Sequence, residues 1–184
     1  MSGQNVPAVH SVHFYDEHSA LIERLRGVVA SGLQIGNSVL IVATKAHREE
    51  LVRQLETLGV DVRSHARAGC FAMFDAKETL NTFMVDGMPD KKRFLDSVGN
   101  LLKEAKKSAR SKDQGLTVFG EMVAVLWEQG NKAGALQLEA LWNDVMNERV
   151  FHLHCAYPRW NFTNDGDQTG MAEICHAHSH VLVQ

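Results

Sequence analysis

The sequence contains only three cysteines, Cys70, Cys155 and Cys175, and none of them forms a CxxC pair. An odd number of widely spaced cysteines argues against a disulfide framework and against a structural zinc knuckle. No apolar run approaches the roughly 18 residues of a membrane span, and residues 1–10 lack a cationic start followed by an apolar run. We therefore expect a soluble, cytoplasmic protein that does not associate with membranes.

The chain also lacks an excess of positive charge. Lysine and arginine number 19 against 22 acidic residues, which gives a formal net charge of -3. Such a chain has no basic field to neutralise a phosphate backbone, so we expect no direct binding to nucleic acid. The length of 184 residues suits one domain. We place it at residues 11–184, after an N-terminal extension at residues 1–10.

Signatures of nucleotide binding and of serine hydrolases are absent. The sequence has no Gly-Lys dipeptide, and neither a GxGxxG nor a GxSxG motif. Asp16 and Glu17 follow the first predicted strand, where two carboxylates would repel a triphosphate. A second interpretation stays open, in which the two acids complement a helix dipole. We expect no ATPase activity.

Short apolar strands alternate with amphipathic helices along the chain. The patterns predict strands at 12–15, 39–43, 71–74, 116–119 and 151–157, and helices at 21–29, 45–58, 78–85, 89–110, 122–129 and around 138–145. This alternation is typical of βαβ units with right-handed crossovers. We therefore predict an α/β fold, a three-layer sandwich with a mostly parallel central sheet flanked by helices.

Ligands of such sheets bind beyond the carboxyl ends of the strands. This rule selects the polar residues that end or follow predicted strands: Tyr15, Asp16, Glu17, His18, Thr44, Asp75, Glu121 and Tyr157. Glu121 is the best single candidate for a functional carboxylate, because Gly120 lets the backbone turn just before it. The alternative is that Glu121 only complements the dipole of the helix it begins.

Histidines are concentrated late in the chain, where the last 33 residues contain His152, His154, His176, His178 and His180. Three or four such groups would hold zinc or another transition ion. In a strand, however, His152 and His154 share one face while Cys155 points to the other, so a metal site needs partners from both segments. We favour imidazoles that bond to the backbone or line a polar pocket, and expect no cofactor. A transition metal on these five histidines is the alternative.

Several stretches, spread over nearly the whole chain, resemble the MEDS domain, a sensory domain named after methanogens, methylotrophs and the dichloromethane regulator DcmR. The stretches are His13-Phe14-Tyr15-Asp16 with His18 and Leu21, Gly36 to Thr44, Phe74-Asp75-Ala76 with Thr79-Leu80, Phe119-Gly120-Glu121-Met122-Val123 with Leu126-Trp127 and Gly130, Leu138-Glu139 with Leu141-Trp142, Cys155-Ala156-Tyr157-Pro158, and Ile174-Cys175 with His178-Ser179-His180.

This resemblance implies a KaiC-like or RecA-like core that has lost its phosphate loop, which agrees with the missing Gly-Lys. It also implies a sensor of small organic, one-carbon or hydrocarbon-derived compounds. Members usually pass their signal to an attached DNA-binding or histidine-kinase module. Because residues 1–184 contain no such module, we expect output through a separate histidine kinase or transcription regulator, or through a homodimer. A role that the family does not imply is the remaining alternative.

The family's recurrent polar positions correspond here to His13, Tyr15, Asp16, Glu121, Tyr157, His178 and His180. Together with the strand-end residues they predict one pocket at the carboxyl edge of the sheet, closed by the C-terminal segment, for a small organic ligand. This pocket makes a non-enzymatic sensor our leading hypothesis.

Two rival functions use other features of the sequence. The first is a metal-dependent or cysteine-dependent enzyme that uses Glu121 and the C-terminal histidines. The second is an interaction module that docks on a kinase or regulator through the basic side of the helix at 89–110. Its cations include Lys103, Lys106 and Lys107.

Overall fold

The structure is a computed structural model that describes residues 8–107, 115–163 and 165–182. In chain order the elements are β1 (Val9–Tyr15), α1 (His18–Gln34), β2 (Ser38–Ala43), α2 (Lys45–Thr57), α3 (Val62–Arg67), β3 (Phe71–Asp75), α4 (Ala76–Asn81), β4 (Met84–Val85), β5 (Met88–Pro89), α5 (Lys91–Lys107), β6 (Leu116–Gly120), α6 (Met122–Glu128), α7 (Lys132–Glu148), β7 (His152–Pro158), a 3-10 helix (Arg159–Phe162), α8 (Asp165–Ala177) and β8 (His180–Leu182).

Six strands form one parallel sheet in the order β3-β2-β6-β7-β1-β8. On one face, Leu25 of α1 and Leu51 of α2 belong to a buried apolar cluster. On the other face, Phe94 of α5 and Trp142 of α7 belong to a second, larger cluster. The sheet is thus covered by helices on both sides, which confirms the predicted three-layer α/β architecture.

The two-sided cover explains the composition of the strands. All six residues of β2 are buried, as its continuously apolar sequence predicted. Along β1, Val12 and Phe14 belong to the larger cluster, whereas Tyr15 belongs to the smaller one. Side chains of successive strand residues therefore enter different cores, and this alternation decides where each polar residue of β1 and β7 lies.

The prediction of a helix over residues 78–85 is wrong at its end. α4 stops at Asn81, and β4 pairs with β5 as an antiparallel hairpin. The hairpin turn consists of Asp86 and Gly87, whose φ angles are 49° and 80°. Two successive residues with positive φ suit a tight hairpin, and Asp-Gly is a favoured pair for it.

The following helix therefore begins later than the sequence predicted. Pro89 is a strand residue, and α5 begins at Lys91. The carboxylate of Asp90 accepts a hydrogen bond of 2.8 Å from the backbone N–H of Arg93 and so caps the helix. The predicted end of this helix, Arg110, lies outside the described residues.

Carboxylates partly neutralise the basic side of α5. Lys92 pairs with Asp96 at 2.7 Å, and Lys107 pairs with Glu104 at 2.8 Å. These exposed pairs contribute little to stability, but they lower the net positive charge of the helix surface.

Besides the β4–β5 hairpin, α3, the 3-10 helix, α8 and β8 have no counterpart in the sequence prediction. α3 has six residues and buries only Val62, so it has no apolar stripe to detect. β8 has three residues and, among the strands of the described ranges, pairs with β1 alone. Within the described ranges, no helix combines the length and apolar character needed to cross a membrane.

The contact between α8 and α6 provides a stability test of this packing. Gly170 is buried, and a Cβ atom placed there would lie 2.8 Å from Cζ2 of Trp127 and closer still to Cη2. We expect Gly170→Ala to lower the free energy of unfolding by about 1–3 kcal/mol, because the buried indole would have to move. Urea denaturation measures this change.

Gly27→Ala serves as the matched control in α1. A Cβ atom at Gly27 meets nothing within 4 Å. Alanine there should raise the free energy of unfolding by about 0.5–1 kcal/mol, because it favours the helix more than glycine does. Equal stability of the two variants would contradict the tight α6–α8 contact.

Candidate functional site

Glu121 lies at the carboxyl edge of the sheet, directly after β6, and is buried. Its carboxylate accepts a hydrogen bond of 2.8 Å from the backbone N–H of Thr44 and one of 2.5 Å from Nδ1 of His47. It makes no capping bond to its own helix, α6. Glu121 therefore joins the ends of β6 and β2 rather than only complementing the α6 dipole.

Two histidines extend this contact towards the surface. Nε2 of His47 lies 2.7 Å from Nδ1 of His18, which is exposed. Because a carboxylate only accepts, Nδ1 of His47 carries the proton in this bond, and the neutral His47 ring accepts from His18 through Nε2. In neutral His18 the remaining ring nitrogen, Nε2, is then an acceptor at the surface.

Aromatic rings cover this chain of polar groups. The exposed Trp160, on the 3-10 helix after β7, packs edge-on against His18 at 5.3 Å and against Tyr15 at 5.5 Å between ring centroids. Burial raises the pKa of Tyr15, and the negative charge of Glu121 raises it further. We name Tyr15, His18, His47, Glu121 and Trp160 the rim cluster.

An ion pair holds the two loops of the rim cluster together. Nε of Arg159 lies 3.0 Å from the carboxylate of Asp16. The same guanidinium donates to the carbonyl oxygen of Phe14 at 3.2 Å. The loop after β7, which carries Trp160, is thereby fixed on the loop after β1.

Of the ten predicted ligand residues, five lie at or beside the rim cluster: Tyr15, Asp16, His18, Thr44 and Glu121. His47 and Trp160 were missed. His47 is in the first turn of α2, directly after a strand end, so the rule that selected Thr44 could have found it.

Asp75 lies at the same edge, but its carboxylate has structural partners. It caps α4 by accepting from the backbone N–H groups of Lys77 and Glu78, and it pairs with Arg48 at 2.7 Å. The bond from Glu78, more than that from Arg48, lowers the pKa of Asp75. Its oxygens are thus engaged within the protein.

His13 is buried under α1 and faces a small cavity. We name this space the α1 cavity; its lining is mostly apolar and includes Leu25, Phe119 and Leu182 beside the polar His13, Arg24 and His154. Its free volume is about 10 Å³, which is about the size of one water molecule. Neither ring nitrogen of His13 has a hydrogen-bond partner among the described residues. Burial, followed by the positive charges of Arg24 and Arg159, lowers the pKa of His13 to about 4.

Tyr157 and His178 lie on the opposite face of the sheet from His13. There the Tyr157 hydroxyl donates to Oε1 of Glu139 at 2.7 Å, and Nε2 of His178 lies 3.4 Å from Oε2 of Glu139. His180 is exposed on β8 and bonds to Ser179. The structure therefore does not place the ten predicted residues in one pocket, because the alternation along β1 and β7 separates His13 from Tyr157.

The predicted set of metal ligands is divided as well. His152 and His154 lie on the α1 side, where His154 bonds to the hydroxyl of Ser11 at 2.7 Å, and His176 is exposed. Among the described residues, ligand-type side chains converge at His10, Glu139, Cys155 and His178. Only His178 was in the predicted set. We name these four residues and Tyr157 the inner cluster.

The sequence of α7 already indicates that Glu139 is buried. It is an acidic residue within the apolar stripe of α7, next to Leu138 and three positions before Trp142. Glu139 is fully buried. A carboxylate that faces the core needs polar or charged partners there.

The structure does not support Cys155 or Cys175 as a nucleophile. Burial raises the pKa of the Cys155 thiol, and the adjacent Glu139 carboxylate raises it further. Burial also raises the pKa of Cys175. Neither thiol has the cationic surroundings that would make it a thiolate at neutral pH.

The buried, neutral His13 makes stability dependent on pH. Because the pKa of His13 is about 4 in the folded protein and about 6.5 when unfolded, the unfolded chain binds more protons in this range. We expect the free energy of unfolding to fall as the pH drops from about 6.5 to about 4. The contribution of His13 is on the order of 1–3 kcal/mol. Urea denaturation at several pH values measures it.

His13→Leu should reduce this pH dependence without abolishing it, because burial also lowers the pKa of His154 to about 4. His176→Gln, which removes an exposed imidazole, serves as the control. The groups that act on His13 are Arg24, Arg159 and Asp16, and the last of these opposes the shift. An unchanged pH slope in His13→Leu would contradict the assignment.

Comparisons with known proteins complete the description of the site. A search of curated proteins finds no match. The family model of the methanogen/methylotroph, DcmR sensory domain, abbreviated MEDS, matches residues 9–179, which include the rim cluster, the α1 cavity residues up to Ala156, and the inner cluster. The match covers nearly all of the described fold, and the chain therefore belongs to the MEDS family of sensory domains.

Proposed function

We propose that this sensory domain binds a small, mostly apolar organic molecule in the α1 cavity and signals to a separate protein. The observation that carries the proposal is the buried His13 ring, whose two nitrogens find no partner in the described part of the chain and face a mostly apolar lining. Burying a polar group without hydrogen bonds costs free energy. A ligand that bonds to His13 recovers that cost, and an apolar ligand body suits the remaining walls.

The chemistry of the lining limits the ligand class. A neutral imidazole offers one donor and one acceptor, so His13 can bond to a hydroxyl group. The apolar walls formed by Leu21, Leu25 and Val28 favour a compact, uncharged body. A one-carbon or hydrocarbon-derived compound with at most one polar group meets both conditions.

The size of the cavity links binding to movement. A free volume of about 10 Å³ is too small for an organic molecule, so a ligand must displace part of the wall. One wall residue, Leu182, belongs to β8, a strand of three residues that lies at the edge of the sheet as far as the chain is described. The ligand therefore favours a conformation with this wall displaced, which is the physical basis of a sensor.

Tyr15 connects the cavity to the surface. Its ring lies 6.3 Å from the ring of His13 on one side, and 5.9 Å and 5.5 Å from the rings of His18 and Trp160 on the other. Displacement of His13 would thus shift the exposed Trp160. The surface around Trp160 is the one we propose a histidine kinase or a transcription regulator recognises.

Nuclear magnetic resonance with two probe compounds tests this function. Dichloromethane, for whose regulator the family is named, probes the apolar walls, and methanol probes the His13 ring. We expect both to shift the backbone amide signals of Leu25, Phe119 and Ala156 and to change the fluorescence of Trp160. His13→Leu should weaken methanol binding about 3–10-fold, because one hydrogen bond is lost, and should spare dichloromethane.

Two variants separate this outcome from unspecific binding. Val28→Phe fills the cavity and should abolish the effect of both probes, whereas Trp160→Phe should remove the fluorescence change but not the amide shifts. Amide shifts that persist in Val28→Phe, or the absence of shifts with either probe, would contradict binding in the α1 cavity.

A further inference from the structure

Four ligand-type atoms converge in the inner cluster, on the face of the sheet opposite the α1 cavity. They are Nε2 of His10, Oε2 of Glu139, Sγ of Cys155 and Nε2 of His178, and all lie within 4.8 Å of one another. All four residues are buried. We propose that they form a binding site for one divalent transition metal ion, of which zinc fits best.

The distances match the dimensions of a tetrahedral zinc site. Glu139 Oε2 lies 3.3 Å from His10 Nε2, 3.4 Å from His178 Nε2 and 3.7 Å from Cys155 Sγ. Cys155 Sγ lies 3.5 Å from His10 Nε2. A tetrahedron with metal–ligand bonds of about 2.0–2.3 Å has edges of about 3.3–3.8 Å. Four of the six edges are therefore already in this range. The other two, from His178 Nε2 to His10 Nε2 and to Cys155 Sγ, are within 4.8 Å, so they need to shorten by at most about 1.5 Å.

Hydrogen bonds from outside the inner cluster orient the ring of His10 for metal binding. The amide nitrogen of Asn143 donates to the carbonyl oxygen of Ala177 at 2.8 Å, which fixes the orientation of this amide. Its oxygen then faces Nδ1 of His10 at 2.9 Å, so Nδ1 must donate. In the neutral ring, Nε2 of His10 consequently directs a lone pair at Glu139.

The second histidine is held in the same way. Nδ1 of His178 lies 2.6 Å from the carbonyl oxygen of Ile174, which only accepts, so Nδ1 donates here as well. Within the described ranges, Nε2 of His178 has no hydrogen-bond partner. Metal-binding histidines almost always donate the other ring N–H to a carbonyl or carboxylate in this manner, which orients the ring.

The electrostatics of the cluster call for a cation. Two imidazole lone pairs face one oxygen of a fully buried carboxylate, and the thiol proton of Cys155 can satisfy only one of these acceptors. The other oxygen of Glu139 is occupied by the Tyr157 hydroxyl at 2.7 Å. A divalent ion would satisfy both nitrogens and Oε2 at once, and it would release the thiol proton to form a metal-bound thiolate.

The donor set selects the kind of metal. Two imidazoles, one thiolate and one carboxylate suit zinc, whereas magnesium and calcium prefer oxygen ligands. Four protein ligands without a solvent-exposed position are typical of a structural rather than a catalytic zinc site. The ligands come from β1, α7, β7 and the segment after α8, so the ion would fix the C-terminal segment on the sheet.

Cobalt binding to the full chain tests the site. The protein is stripped with a chelator and titrated at neutral pH with Co²⁺ alone. We expect one ion per chain, the visible bands of tetrahedral cobalt, and a thiolate-to-cobalt charge-transfer band in the near ultraviolet. Cys155→Ser should lose the charge-transfer band, and His178→Gln should lower the affinity at least tenfold.

Matched controls lie a few positions away in the chain. Cys175→Ser and His176→Gln alter the same residue types outside the cluster and should leave the titration unchanged. Asn143→Leu removes no ligand, so it should lower the affinity about 10–100-fold while keeping the charge-transfer band.

The absence of Co²⁺ binding at one ion per chain would overturn the proposal, as would binding that is lost only in the Cys175 or His176 variants. Should Cys155→Ser fail to fold, X-ray absorption at the zinc edge of the wild-type protein decides instead. One sulfur at about 2.3 Å in the zinc shell would support the site. A shell without sulfur would overturn it. These results do not depend on the α1 cavity, whose probes need no metal.

Discussion

The arrangement of the polar residues depends on one constraint, the burial of a parallel sheet on both faces. Successive side chains of a strand point to opposite faces, so β1 sends His10 to the α7 side and His13 to the α1 side. β7 pairs with β1 in parallel register. Its Cys155 and Tyr157 likewise point to the α7 side of the sheet, whereas its His154 points to the α1 side. Two strands thereby supply polar groups to two separate interiors.

Glu139 illustrates the energetic demand of such an interior. A fully buried carboxylate loses its hydration, and only close partners can offset this loss. Here four partners come from β7, β1 and the segment after α8: the Tyr157 hydroxyl, the Cys155 thiol, and the rings of His10 and His178. Residues that are far apart in the sequence are thus held by one charge, which explains why a single acidic residue on an apolar helix face can organise the centre of a fold.

Much of the fold could be predicted from the sequence, because β2 is continuously apolar and α7 has an apolar stripe. The hairpin β4–β5 and the strand β8 could not, since two or three residues carry no periodicity. For the site, the strand-end rule found Thr44 and Glu121. Applied one helix turn further, to the first turn of α2, it would also have found His47. The inner cluster was beyond spacing arguments, because four distant segments contribute to it.

The end of the described chain shows how closely the two interiors are joined. Ser179 bonds to His10 through both its backbone N–H and its hydroxyl, each at 2.9 Å. His178, the residue before Ser179, belongs to the inner cluster. Leu182, three positions after Ser179, lines the α1 cavity. Because the same short segment seals both interiors, a change in its position alters both at once. The two histidines of this segment accordingly differ in their surroundings. His178 lies beside the buried carboxylate of Glu139, whereas the side chain of His180 is exposed at the surface.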